Sequence, residues 1–525
     1  MTDAERGDLR WETIPGLVRD TADRFGDALA IVDGHERISF ADLSSRVEDA
    51  ARAVASRGVS HGDRVAVWAP NVWEWIVAAL GTVSAGAALV PINTRFKGRE
   101  AAYILDKSDA KLLFTVHGFL DTDYAGMLRG EGVDVPTVVL RGDAPAGTTP
   151  WREFLADAGP EPLPTGAPDD VADVIFTSGT TGRPKGVMTT HAQTLRVFEV
   201  WSRTVDLREG DRYLVVNPFF HTFGYKAGIL ACLMRGATIY PQAVFDAAEA
   251  MRRIAEHRIT VLPGPPTLYQ AILDHPDREK FDLSSLRLAV TGAAVVPVKL
   301  IERMRDELTF ETILTAYGLT ESTGTATMCR IGDDPETIAT TSGCAIEDTE
   351  VRVIGDAGAS VASGEPGEVV VRGYNVMQGY LDDPEATREA IDGDGWLHTG
   401  DVGVMDDRGY VRITDRKKDM FIVGGFNVYP AEVENELLRH PAVAQAAVVG
   451  APDERMGEVG VAFVVPRANA TVDPDELVAW TRERIANFKV PRRVVIVDAL
   501  PLNASGKVLK YELREVVAAQ GVRTP

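Results

Sequence analysis

The stretch Thr177-Ser178-Gly179-Thr180-Thr181-Gly182-Arg183-Pro184-Lys185-Gly186 puts three glycines, four hydroxyls and a lysine within ten residues. It follows Val171-Ala172-Asp173-Val174-Ile175-Phe176, an apolar run of strand composition. A strand that empties into a glycine-rich loop exposes backbone N–H groups, and the hydroxyls and the ammonium add further donors. Such a surface suits polyphosphate, and the loop is read as an ATP phosphate loop. In the commoner phosphate loop Lys and Ser or Thr follow the second glycine at once, whereas here Pro184 precedes Lys185 and Gly186 follows it. A loop of this composition standing alone is more often a plain turn; further stretches downstream give this one its weight.

The elements around the loop point to an α/β fold. From residue 11 to about residue 110, helical and extended patterns alternate, with helical spacing over 40–57 and extended runs over 29–32 and 64–68. That alternation predicts largely parallel strands. Residues 142–170, rich in Gly, Pro and Asp, read as a surface connection with a short helix at 151–155. Beyond the loop, strands are expected at 213–216, 260–263 and 286–290, each running into Gly, Pro or Ala, and a helix at 226–234. Ligands gather where parallel strands run out at their carboxyl ends, so these loops would converge on one crevice. A boundary falls near Asp415-Arg416-Lys417-Lys418-Asp419, and about a hundred residues with their own helix and strand signals follow it. The expected organisation is a large N-terminal domain, 1–415, with mixed and parallel sheets, and a small mobile α+β lid domain, 416–525.

A chain of 525 residues exceeds what one core usually serves. Its formal charge of -22 disfavours nucleic acid and anionic membrane as partners. Three cysteines without metal spacing, Cys232, Cys329 and Cys344, fit a reducing cytoplasm. The first residues lack the basic start and apolar stretch of a signal peptide. Residues 75–92 carry no charge, yet their Gly, Ala and Ser content and the closing Val90-Pro91-Ile92 favour a buried helix running into a strand over a membrane span.

The phosphate loop resembles that of the adenylate-forming superfamily, which includes acyl-CoA ligases, peptide-synthetase adenylation domains and luciferases. Five further stretches recur in the superfamily's order. Tyr317-Gly318-Leu319-Thr320-Glu321 resembles its second nucleotide motif, which implies that Tyr317 stacks on adenine, Thr320 lies by the α-phosphate and Glu321 holds Mg2+. Gly292-Ala293-Ala294 resembles the segment bordering adenine, with Ala where a second glycine is usual; a tight strand end is the plainer alternative. Trp396-Leu397-His398-Thr399-Gly400-Asp401 carries the ribose-binding acid at Asp401, and Arg416 is implied to reach the same sugar. Lys418 matches the hinge of the lid, and Gly424-Gly425-Phe426-Asn427 resembles the lining of the pantetheine tunnel, which implies coenzyme A. Gly506-Lys507 matches the lid lysine that meets the carboxylate and the α-phosphate, although the preceding Leu502-Asn503-Ala504 departs from the usual preamble.

The resemblance implies an acid–thiol ligase, an acyl-CoA synthetase that uses ATP, Mg2+ and coenzyme A to activate a small carboxylic acid through an acyl-adenylate. Phe219-Phe220-His221-Thr222-Phe223-Gly224 resembles the acyl-pocket motif, so Phe220, His221, Tyr225 and Lys226 are the candidate acyl-side residues. His221 either gates the pocket or is a satisfied core histidine. Lys226 either snorkels to the surface or meets a polar oxygen of the acid, because an unpartnered buried ammonium is costly. Within the superfamily, Asn217-Pro218-Phe219-Phe220-His221, residues 224–230, residues 259–267 and residues 427–433 look like bacterial ligases of steroid breakdown. The implied acid is HIP, the indane-dione propanoate left after the steroid A and B rings are removed. Medium-chain or long-chain fatty acids and aryl acids stay open as substrates. An acyl-AMP ligase, a peptide-synthetase adenylation domain and a non-catalytic nucleotide-binding protein are the alternative activities, and a homodimer is compatible with the sequence.

Overall fold

The computed structural model describes residues 6–160, 163–177, 184–292, 296–355, 357–416, 419–423, 426–453, 456–468, 470–485, 487–502 and 508–520. The chain divides into two compact units, residues 1–351 with 371–397 and residues 352–370 with 398–525. The first unit is built on two sheets. One runs in the order Gly379–Tyr380, Lys185–Thr190, Val171–Thr177, Ala88–Pro91, Arg64–Trp68, Ala110–Thr115, Thr137–Val139, Thr149–Pro150. All its strands are parallel except Lys185–Thr190, which turns back on Val171–Thr177 as a hairpin. The other sheet joins Arg212–Val215, Thr238–Pro241, Leu29–Asp33 and Glu36–Ser39 to Leu288–Gly292, Thr312–Tyr317, Thr327–Met328 and Cys344–Ala345. Parallel bridges from Val261 to Tyr213 and Leu288 link the two groups.

The helices follow the sequence pattern. Phe40–Ser56 turns Phe40, Leu43, Val47, Ala50 and Val54 inward at helical spacing, and the Ser39 side chain accepts from the Asp42 backbone N–H at its start. The uncharged run at 75–92 becomes the buried helix Trp73–Ser84 and the strand Ala88–Pro91, which answers the membrane question; among the described residues no helix is long and apolar enough to cross a bilayer. Two expectations change. Residues 260–263 make isolated bridges at Val261 alone rather than a strand, because Pro263 cannot donate to a ladder. The helix expected from 226 begins instead as the π-helix Tyr225–Leu230, then continues as Ala231–Arg235.

In the second unit, strands Leu397–Met405 and Val411–Arg416 form an antiparallel ladder. Farther on, the strands Val443–Asp453 and Gly457–Pro466 are packed on one face by Val433 and Leu437 of helix Pro430–Leu438 and Leu477 of helix Pro474–Arg482. The other face is packed by Leu513 and Val517 of helix Lys510–Gln520. This is the α+β composition expected of the C-terminal part. The expected division at 415/416 lies within the second compact unit.

Candidate active site

Four strand ends of the first unit deliver the candidate residues: Thr177 closes Val171–Thr177, Gly292 closes Leu288–Gly292, Tyr317 closes Thr312–Tyr317, and Arg212–Val215 leads to Phe220 and His221. Two glycines are there for space. A Cβ at Gly292, whose φ is +152°, would stand 2.6 Å from the Ala316 carbonyl oxygen, and one at Gly318 would stand 2.5 Å from that of Gly324. The chain after Tyr317 can therefore fold tightly, into the short 3-10 turn Thr320–Ser322 that carries Glu321. The turn is pinned from below: the Met377 N–H donates to the Glu321 carbonyl at 2.9 Å, and Thr323 Oγ1 to that of Asn375 at 2.7 Å.

The Glu321 carboxylate is where separate motifs meet. Its Oε1 accepts from Thr177 Oγ1 at 3.4 Å and from the Tyr380 hydroxyl at 3.0 Å. Tyr380 sits on the two-residue strand beside Lys185–Thr190, and the Lys185 ammonium lies 5.0 Å from its ring centroid. Burial, reinforced by the Glu321 charge, pushes the Tyr380 hydroxyl far above the usual tyrosine range, so it stays a donor at any physiological pH. Thr177, Lys185, Thr320 and Glu321 are thus gathered at one end of the sheet. In the sequence only a Gly-Tyr pair marks Tyr380, and its contact with Glu321 comes from strand pairing.

Whether Mg2+ fits here depends on the donors. Glu321 offers a half-buried carboxylate with Oε2 unclaimed by any described residue. Among the described residues no three His, Cys, Asp or Glu side chains come together, and a cation that takes one carboxylate, phosphate oxygens and water needs no such cage. The donor set fits.

Asp401 is buried on Leu397–Met405 and stands directly opposite Arg416 in the antiparallel ladder, so the expected ribose pair occupies facing positions. Its backbone N–H donates to Thr399 Oγ1 at 3.1 Å, while Thr399 Oγ1 donates to the Val369 carbonyl at 2.6 Å. Ser178, Gly179, Thr180, Thr181, Gly182, Ala293, Ala294, Lys418, Gly424, Gly425 and Lys507 lie outside the described residues.

On the acyl side, Phe220 is half-buried and His221 is exposed, capping the short helix Thr222–Gly224 by accepting the Phe223 N–H on Nδ1 at 3.2 Å. That bond favours the tautomer with its proton on Nε2. His221 is therefore not the enclosed core histidine of the plainer reading. Tyr225 is completely buried against Trp75, with ring centroids 5.7 Å apart. Lys226 departs from both expectations: it neither snorkels nor keeps a hydrogen for the acid. Its side chain is 1% exposed, and its ammonium pairs with Asp173 Oδ2 at 2.9 Å and donates to Thr189 Oγ1 at 2.7 Å and Thr194 Oγ1 at 3.0 Å. The ammonium thus has one ionic and two hydrogen-bonding partners within the protein.

The chain matches the family described as AMP-binding enzyme over residues 18–381, and residues 432–507 match the AMP-binding enzyme C-terminal domain. It is 54% identical over 517 residues to the 3-[(3aS,4S,7aS)-7a-methyl-1,5-dioxo-octahydro-1H-inden-4-yl]propanoyl:CoA ligase of Rhodococcus jostii, covering 96% of this chain and 98% of that relative. It is 52% identical over 515 residues to the ligase of the same name from Mycobacterium tuberculosis, covering 97% and 99%. Among solved structures, ATP-bound MatB from Rhodopseudomonas palustris superposes with a TM-score of 0.86 at 31% identity, over 96% of this chain and 99% of that one. The chain belongs to the AMP-binding enzyme family, the adenylate-forming superfamily that its motifs resemble.

Proposed function

We propose that this protein is an AMP-forming acyl-CoA ligase whose acid is HIP, and that it acts in the cytoplasm on dissolved substrates. The meeting of Thr177, Lys185, Glu321 and Tyr380 at one sheet end carries the nucleotide half of this reading. The substrate rests on likeness to two ligases named for the indane-dione propanoyl group.

In the first half-reaction the carboxylate oxygen of the acid attacks the α-phosphorus of ATP and the bond to pyrophosphate breaks, giving acyl-AMP. Bound Mg2+ would neutralise phosphate charge beside Glu321. Tyr380 and Thr177 orient the Glu321 carboxylate by donating to its Oε1, and Lys185 adds positive charge at the mouth of the loop. Ser178, Gly179, Thr180, Thr181 and Gly182 cradle the phosphates. Tyr317, with Gly292, Ala293 and Ala294, borders adenine, Thr320 lies by the α-phosphate, and Asp401 with Arg416 holds the ribose. Lys507 meets the negative charge that grows at phosphorus.

The lid is residues 416–525, turning about Lys418. In its second pose the Gly424-Gly425 backbone lines the path of pantetheine, and the coenzyme A sulfur attacks the acyl carbonyl, releasing AMP. His221 and Phe220 border the acyl group, with His221 gating its pocket.

Incubation with ATP, Mg2+, coenzyme A and HIP should yield HIP-CoA and AMP in equal amounts by mass spectrometry. ADP in place of AMP would refute adenylation. Acyl-AMP without thioester in the presence of coenzyme A would make the chain an acyl-AMP ligase. Light scattering of the same preparation tests for a homodimer.

A further inference from the structure

Lys226 is the one buried lysine among the described residues, and the nucleotide chemistry above gives it no role. Its partners are not scattered. Asp173 and Thr189 face each other across the hairpin Val171–Thr177/Lys185–Thr190, the hairpin whose tip carries the phosphate loop and whose last pair is Thr177 and Lys185. Thr189 accepts from Lys226 and passes its own hydrogen to Asp173 Oδ1 at 2.7 Å, closing a ring of three groups. Thr194 belongs to helix His191–Thr204, which leaves the hairpin directly. Lys226 itself is the second residue of the π-helix Tyr225–Leu230, one short turn after His221. One ammonium thus fastens the acyl-side segment to both strands under the phosphate loop.

We propose that Lys226 is a positioning residue: through Asp173, Thr189 and Thr194 it fixes the segment after His221 against the phosphate-loop hairpin, so that acid and ATP meet in one geometry. This rests on the acyl-CoA ligase reading. Three features of the site favour positioning over mere packing. Apolar side chains of similar volume could fill this space without taking two charges out of water, and a buried ion pair is often no more stable than such a replacement. A charged pair is directional, however, and defines a register that apolar contacts do not. The π-helix points the same way, because its extra residue per turn moves Lys226 relative to an α-helical path, and such turns are frequent at functional sites. Burial lowers the basicity of Lys226 while the Asp173 charge raises it, and the short bonds fit an ammonium held between these effects.

The test separates stability from geometry. Lys226→Met alone and Asp173→Asn alone each strand a polar partner and should lower the melting temperature. The double variant Lys226→Met with Asp173→Leu removes both charges and should fold. With the double variant melting near the wild type, the proposal predicts roughly a 10- to 100-fold loss of kcat for pyrophosphate release, because a misplacement of about 1 Å can cost that much. KM for coenzyme A should not change, and thioester formation from supplied acyl-AMP should fall less than adenylation. Wild-type kcat in the folded double variant would overturn the proposal. If the double variant does not fold, Thr194→Val decides: it removes one acceptor, and a several-fold loss of adenylation kcat at unchanged melting temperature supports the clamp, while unchanged kcat overturns it. Wild-type protein that binds ATP but activates no acid would instead defeat the ligase reading.

Discussion

Replacing Tyr380 with Phe isolates one hydrogen bond at the proposed nucleotide site. The ring remains, and with it the face on which the Lys185 ammonium rests at 5.0 Å, so packing is conserved. What is lost is the 3.0 Å bond from the hydroxyl to Glu321 Oε1. Thr177 is the other donor to that oxygen, at 3.4 Å, too long to take over fully. Hydrogen bonds to charged groups contribute about 1.5–3 kcal/mol, and a half-buried site with a second, weaker donor belongs near the lower figure. About 1.4 kcal/mol corresponds to a tenfold change. We expect kcat/KM for Mg·ATP in pyrophosphate release to fall about tenfold, with the half-saturating Mg2+ concentration raised and KM for the acid unchanged. Calorimetric titration of ATP without acid, with and without Mg2+, should show the loss only with Mg2+ present. Equal weakening in both titrations, or a kcat/KM for Mg·ATP within twofold of wild type, would refute the idea that Tyr380 orients Glu321.

Lys507→Ala should abolish adenylation and spare thioester formation from supplied acyl-AMP; equal loss in both half-reactions would remove the lysine from its assigned role. His221→Ala should raise KM for the acid several-fold while leaving ATP affinity in the absence of acid unchanged, and a change in ATP affinity would contradict a gate. Stability should also report His191. Burial, opposed by the nearby Asp170 charge, lowers this imidazole from 6.5 to about 4, and its Nδ1 accepts the Ile14 backbone N–H at 3.2 Å. A lowered folded value means that the unfolded chain binds the proton first. The stability is therefore fully present above pH 6.5 and is lost as the pH falls towards 4, by about 2 kcal/mol at pH 5. His191→Asn keeps an acceptor and should flatten this part of the melting profile; an unchanged slope between pH 7.5 and 5 would assign the effect elsewhere.

The proposed nucleotide site can be read from the sequence because its chemistry sits in short, contiguous stretches: the loop after Val171–Thr177, the Tyr-Gly turn before Glu321 and the Gly-Asp pair at 400–401. Strand alternation likewise announced the parallel sheets. What sequence could not supply was pairing at a distance. Tyr380 reaches Glu321 because a two-residue strand docks antiparallel on Lys185–Thr190. Lys226 looks in the sequence like a surface or substrate-facing charge because its hydroxyl partners lie 37 and 32 residues away along the chain. Asp173, in the middle of an apolar run, was the available sign: an acid on a buried strand needs a partner. The π-turn was equally hidden, since Tyr225-Lys226-Ala227-Gly228-Ile229-Leu230 reads as an ordinary helix by composition.

By the proposed function, the enzyme makes a CoA thioester of a bicyclic keto acid. The most direct measurement is kcat/KM for acyl-CoA formation across HIP, longer steroid side-chain acids, medium-chain and long-chain fatty acids and aryl acids, each with ATP, Mg2+ and coenzyme A. HIP should lead by at least about tenfold, some 1.4 kcal/mol of discrimination. A fatty or aryl acid in first place would contradict the substrate assignment, and no AMP from any acid would contradict the activity itself.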